Sequence, residues 1–560
     1  MAVTQIPNEL IEFGVKTFGT DSIMLGDTTT GTIDAANYNT GVGVDVFAAL
    51  TTGDWNTAIG NSAGNALTTG LQNTFVGQNA GTDVTTGREN TAVGYAALYT
   101  EDTNSYNTAI GARALQNLNG ADSNTGVGYN ALYAATTGVN NTAVGATALE
   151  ANTTGQLNTA IGTRVLVDNT TGSNNVGVGE ATLFVNTTGS RNVAMGWGAL
   201  QNSNSNDNIA LGYRAQHNIT SGTTNVAVGQ NSLFTNTTGA ANVAIGHNAL
   251  YDFTGNNTVA VGYASLANTT GADNTGCGHQ TLETNTSGLG NVAVGSNALA
   301  LATVAGYNVA VGANALDAAT TGAQNIGVGH AALGASTTGY YNTAMGHSAG
   351  ASLTTGNDNV LIGYNAGQYQ NSVTTGVANT VVGAYARTSS ATVTYEVVLG
   401  RYGLGQGTNT ASLSTDGSGV HIALSGSTST WSTHSDERIK KDITDSTAGL
   451  NFINDLQPKT YKFKNRSEIP ESFRIYEENS TKMASGEEDV TYHGFIAQEV
   501  KEIIDNHPEV ADGHGIWSES PDGVQNISTG AFVPMLIKAV QELSVKCDSL
   551  QNEINTLKGE

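Results

Sequence analysis

The chain has 560 residues, of which 70 are glycine and only 6 proline, and it carries a formal net charge of −25. Glycine at this level without a three-residue period excludes collagen, and the scarcity of basic residues excludes nucleic-acid binding by phosphate neutralisation. Residues 27–430 hold seven arginines, no lysine and 20 acidic residues, whereas residues 431–560 hold 13 basic and 23 acidic ones, so two materials meet near Trp431.

No stretch approaches the apolar length needed to cross a bilayer, and the N-terminus lacks a basic-then-apolar leader pattern. Synthesis in a cytoplasm without membrane insertion is therefore expected. The two cysteines read as small hydrophobes and not as a disulfide: Cys277 stands where other repeats have valine or isoleucine, and Cys547 lies on an apolar helix seam.

Residues 1–20, with Ile6-Pro7-Asn8-Glu9-Leu10, precede the periodic part and form a separate N-terminal segment. From Gly26 to Gly400, glycine then returns one step after an apolar residue in 22 intervals, 18 of them seventeen residues long. A period held this strictly means one turn of a stacked coil per repeat, so residues 21–405 are predicted to form a parallel β-solenoid or β-roll shaft. Stacking at about 4.8 Å per turn gives a rod on the order of 100 Å.

One repeat reads Asn-Thr-Ala-Val-Gly-x-x-Ala-Leu, a variable stretch, then Thr-Thr-Gly, as in the copies that begin at Asn90 and Asn141. In a strand of period two, the apolar residue before glycine (Ile59, Val93, Val144) shares a face with the Thr or Val two positions earlier. The opposite face carries only Ala or Gly, as at Ala58, Ala92 and Gly126. Restriction on both faces predicts that both are covered. The branched face is expected to fill the coil, and the small-residue face to lie against neighbouring copies of the chain. Pairs such as Ala97 and Leu98 supply the other wall, and the glycine of each Thr-Thr-Gly corner is expected at positive φ.

So thin an interior is marginal against a backbone entropy cost of about 1–2 kcal/mol per residue, which predicts a homotrimer. The repeats resemble the head repeats of trimeric autotransporter adhesins and similar repeats in fibres of tailed bacteriophages. The secretion signal and membrane-anchor barrel of adhesins are not found here, so the phage branch is preferred. Residues 1–20 resemble the entry segment of phage fibres, which implies attachment to a tail or baseplate protein.

The residue after each repeat glycine is often aromatic, as at Tyr95, Tyr129, Trp197, Tyr213, Tyr263 and Tyr364. This column reads as an exposed stripe. It is either a tolerant surface position or a platform for a host surface polysaccharide. No carboxylate pair or Ser/His/Asp cluster recurs in the repeats, and no metal or cofactor is implied.

Residues 406–434 are read as a connector. From His434 the chain runs His-Ser-Asp-Glu-Arg-Ile-Lys-Lys-Asp-Ile, followed by Asp455-Leu456-Gln457-Pro458 leading to Tyr461 and Phe463, and by Gly494-Phe495-Ile496-Ala497-Gln498-Glu499-Val500. With these three blocks in order, residues 435–560 resemble the intramolecular chaperone domain of endosialidase-type tail spikes, a small α+β domain. That resemblance implies a single-turnover serine autoprotease. Ser435 would be the nucleophile, Lys440 its general base, Asp436 and Arg438 supporting residues, and the cut would fall between His434 and Ser435. A serine needs a base, and a lysine serves as one once burial lowers its pKa. The same residues also fit a plain helix cap at Ser435-Asp436, ahead of a helix carrying Arg438, Lys440 and Lys441.

Leu536, Val540, Leu543, Cys547, Leu550, Ile554 and Leu557 are spaced 4, 3, 4, 3, 4, 3, which predicts a coiled-coil helix over 533–558. The combined expectation is a trimeric phage tail fibre, made in the host cytoplasm, carried on the virion and adhering to the host surface. The alternatives are a polysaccharide-degrading tail spike and a bacterial surface adhesin.

Overall fold

The computed structural model describes residues 14–18, 20–26, 35–100, 103–370, 372–415, 418–424, 432–433, 437, 440–473, 475–485, 489–510, 515–520 and 523–559. The chain divides into two compact units, residues 1–434 and 435–560.

The first unit is one continuous sheet. Strand β1 (Gly14–Phe18) pairs antiparallel with β2 (Ser22–Gly26). From β2 through β24 (Val397–Leu399), each strand pairs parallel with the next, one strand per turn and in register: Ala92 lies beside Ala109, and Ala109 beside Gly126. At the far end β25 (Thr410–Thr415) continues the parallel stack and turns back into β26 (Ser418–Ala423), which pairs with β27 (Ser432–Thr433). An antiparallel pair thus covers each open edge of the stack. Part of the expected N-terminal segment and much of the expected connector are strands of this same sheet.

The two strand faces are the reverse of the expectation. The small residue points inward: Ala58, Ala92, Ala109, Ala143 and Ala160 are fully buried. The branched residues point outward, with Ile59 and Ile161 each 41% exposed. The coil is too thin for two branched walls. Leu98, Leu132 and Leu149 from the opposite wall already fill it, leaving room for a methyl or a hydrogen. Where a large residue does enter, its neighbours shrink. Phe75 replaces the alanine, and its own turn carries Gly81 and the preceding turn Gly64 where leucine usually stands. Leu361 does the same with Gly350 and Gly367.

The corner expectation also fails. The Thr-Thr-Gly glycines do not take positive φ. Gly155 is needed because a Cβ there would lie under 3.0 Å from Asn152 Oδ1 and from the Gly172 carbonyl. Besides the repeat glycines, such as Gly94 (φ 133°), the positive-φ positions fall on ordinary residues, in the turn after Gly94 on Ala96 (φ 53°), Leu98 (φ 53°) and Tyr106 (φ 65°). Each costs roughly 1–2 kcal/mol, so the surrounding ladder must hold them in place.

An asparagine ladder does this. Asn141 is fully buried. Its backbone N–H donates to Asn124 Oδ1 at 3.0 Å, its Nδ2 donates to the Gly155 carbonyl at 2.9 Å, and its own Oδ1 accepts the Asn158 N–H at 3.0 Å. Glu396 ends the ladder, fully buried, accepting the N–H groups of Ser389 at 2.9 Å and Gly407 at 2.6 Å.

The second unit is a small α+β domain. Helix α1 (Leu450–Asp455) is followed by β28 (Lys459–Tyr461), which pairs antiparallel with β29 (Tyr492–Gly494). Then come α2 (Ala497–Asn506), the hairpin of β30 (Trp517–Glu519) with β31 (Gln525–Ile527), and α3 (Val533–Lys558). Phe452, Leu456, Val500, Ile504, Ile516 and Phe532 form its core.

Candidate functional site

His434, Ser435, Asp436 and Arg438 lie outside the described residues. Lys440 is described and exposed, and its backbone N–H donates to the Glu437 carbonyl at 3.1 Å. Residues 440–448 are not helical, and α1 begins only at Leu450 after Gly449. The alternative reading, a cap on a helix carrying Lys440 and Lys441, does not describe these residues.

The two later blocks converge. Tyr461, Phe463, Gly494, Phe495, Ile496, Ala497 and Gln498, with Gln525–Ile527 and Thr529, line a cleft of about 580 Å³. Gly494 packs closely on Tyr461, since a Cβ there would lie 3.2 Å from the ring. Asp455 closes α1 and accepts from His507 Nε2 at 2.8 Å, while His507 Nδ1 meets Glu509 Oε1 at 2.8 Å. The His507 side chain is only 13% exposed. These contacts, with Glu509 foremost and then Asp455, raise its pKa above the ordinary imidazole value, and the same bond lowers that of Glu509. Nothing in the sequence spacing pairs Asp455 with His507.

The start of α3 packs on α1, with Ala539 buried and Glu542 accepting the Leu450 N–H at 2.8 Å. Among the described residues the seam itself stays largely exposed: Val540 is 65% exposed and Leu550 57%, and Cys547 is exposed too.

On the shaft, the stripe residues are all exposed but differ in their company. Trp197 stacks on Tyr213, Tyr263 stacks between His247 and His279, and Tyr364 stacks on His347, while Tyr95 and Tyr129 stand apart on alternate turns. A second ring column, four residues further on, was missed: His217, Phe234 and Tyr251 stack in series. The same period marks it, at a position where rings are sparser. Arg214 links the columns, with its guanidinium 5.2 Å from the Trp197 ring and 5.8 Å from that of Phe234.

Among the described residues, no group of three His, Cys, Asp or Glu side chains is placed to hold a metal, and no helix is long and apolar enough to cross a membrane. Residues 435–508 match the family described as chaperone of endosialidase. The match opens where the second unit opens and stops short of α3. No curated protein matches the chain.

Proposed function

We propose that the chain is a homotrimeric tail fibre of a tailed bacteriophage, fastened to the tail or baseplate by its N-terminal end and adhering to the host surface through its shaft. A chaperone-of-endosialidase domain at the end of a β-solenoid supports a tail fibre or tail spike protein.

The observation that carries the trimer is the outward apolar face. In β3 (Thr40–Gly43) through β24, the two outward positions hold only Thr, Val, Ile, Leu, Met and Cys, never a charge. An uncharged apolar stripe of this length needs covering. A second copy of the same chain matches it turn for turn, because both have the same pitch. The bare heptad seam of α3 asks for the same partner.

In this reading the C-terminal unit gathers three chains in register before the shaft folds. Slippage by one repeat would otherwise be nearly as good. Release then follows by attack of Ser435 Oγ on the His434 carbonyl. The acyl group moves from nitrogen to oxygen, and water hydrolyses the ester, leaving a carboxylate on His434 and an amine on Ser435. Lys440 takes the hydroxyl proton once a neighbouring chain desolvates it. The freed shaft is kinetically trapped, since unfolding requires three unlinked chains to separate.

Intact mass measurement of the wild type beside Ser435→Ala tests the release. The reading expects a product ending at His434 in the wild type and only full-length chain in the variant. Full-length chain in both would remove the protease step.

A further inference from the structure

The rings that follow the repeat glycines do not all face solvent in the same way. On adjacent turns they stack on one another: Trp197 lies 5.1 Å from Tyr213, and Tyr263 lies 5.3 Å from His247 and 5.4 Å from His279. Rings stacked in this way use their faces on each other and offer mainly edges outward.

Tyr95 and Tyr129 differ. They hold the same position two turns apart, with only the methyl of Ala112 on the turn between, and with Gln78 and Ala146 on their outer sides. The three turns are in register: the Arg113 N–H donates to the Tyr95 carbonyl at 2.8 Å, and the Asn130 N–H to the Ala112 carbonyl at 3.1 Å. Both rings are half exposed, at 49% and 52%. A pitch of about 4.8 Å places them about 9.6 Å apart. A ring midway would lie about 4.8 Å from each, inside the roughly 4.5–7 Å range of favourable ring contacts.

The second column repeats this alternation on the same three turns, as Tyr99, Gln116 and Tyr133. Between the columns stands Arg113, exposed, in the position from which Arg214 reaches rings of both columns elsewhere on the shaft. A guest here would meet two half-exposed aromatic side chains, the alanine on the turn between them and an exposed arginine beside it. That combination suits a sugar, whose ring has apolar C–H faces and a belt of hydroxyls.

We propose that the slot of Tyr95, Ala112 and Tyr129, with Arg113 at its edge, binds one ring of a saccharide chain. The assignment rests on the reading of the shaft as the adhesive part of the fibre. It singles out Tyr95 and Tyr129 as binding residues and leaves Trp197, Tyr213, Tyr263 and Tyr364 as members of stacked ladders.

The test uses the full chain, displayed against immobilised bacterial surface polysaccharides and against cells. Ala112→Tyr would complete the ring ladder, so it should abolish retention by at least 10-fold while leaving the thermal midpoint unchanged or higher. Tyr129→Ala should weaken retention similarly, and Tyr263→Ala should not. If Ala112→Tyr and Tyr129→Ala bind as the wild type does, the slot is wrong and adhesion stands. A wild-type fibre that holds cells but no polysaccharide removes the saccharide assignment alone, and one that holds neither removes the adhesive reading as well.

Discussion

A Cβ on Gly81 would lie 2.5 Å from the ring of Phe75. The phenylalanine occupies the inward strand position that alanine holds in most turns, and the glycine occupies the place of a buried leucine. Interior volume is therefore kept per pair of walls and not per position. Phe75→Ala should cost about 3–5 kcal/mol through the cavity it leaves. Gly81→Leu alone should destabilise by overpacking, and the double variant should recover much of both losses. Thermal unfolding of the four proteins measures the coupling. Simple additivity would contradict the shared-volume account.

Two glycines separate backbone strain from lack of space. Gly145 (φ +138°) and Gly407 (φ +117°) both take left-handed φ, but a Cβ at Gly145 would lie 2.6 Å from the Gly162 carbonyl carbon, whereas nothing lies within 4 Å at Gly407. Gly407→Ala should cost only the conformational strain, about 1–2 kcal/mol. Gly145→Ala must push two turns apart and should cost several-fold more, read as a lower thermal midpoint and faster proteolysis of the shaft.

The outward column gives a prediction specific to assembly. Val144 is 37% exposed in a single chain. Val144→Glu should be nearly neutral there, within about 0.5 kcal/mol. On a face shared with identical copies it would instead bury three carboxylates together. The expected result is loss of the trimer by sedimentation, and an unchanged assembly would show that this face is free.

His507 sets a pH window for the C-terminal unit. Its folded pKa is raised by Glu509 and Asp455, so its contribution is complete below the ordinary imidazole value and is lost as pH rises through the raised one. Glu509 is lowered by His507, so its contribution is present above the ordinary glutamate value and is lost as pH falls through the lowered one. Stability of this unit should therefore plateau between the two and decline on both sides. Among the described residues the α-helices lie only in 435–560, so the helical circular dichroism signal follows this unit. His507→Asn should flatten the decline at high pH.

The period, the turn count and the parallel stacking were legible in the sequence because each turn repeats one chemical solution, glycine after a branched residue. The helix over Val533–Lys558 was equally plain, since a seam that runs 4, 3, 4, 3 fits little else. The strand faces were not legible. Alternation reveals two sides but not which is inside, and that depends on how far apart the walls stand. The glycines at Gly155 and Gly145 both look like turn residues, yet close backbone approach, with no positive φ at Gly155, is what excludes a side chain. The repeated asparagine is visible in the consensus without its role, which the hydrogen bonds of Asn141 reveal as a ladder running turn to turn. In the C-terminal unit, Asp455 and His507 are brought together by packing of α1 against the end of α2, which no local spacing announces.

The central claim is that identical chains cover the outward face of the shaft and the seam of α3. Sedimentation equilibrium of purified Ser435→Ala protein, in which the proposed release is blocked, tests it most directly. The account predicts a single species of three times the chain mass, stable to dilution. A folded species of one chain mass, with the solenoid intact by circular dichroism, would contradict it.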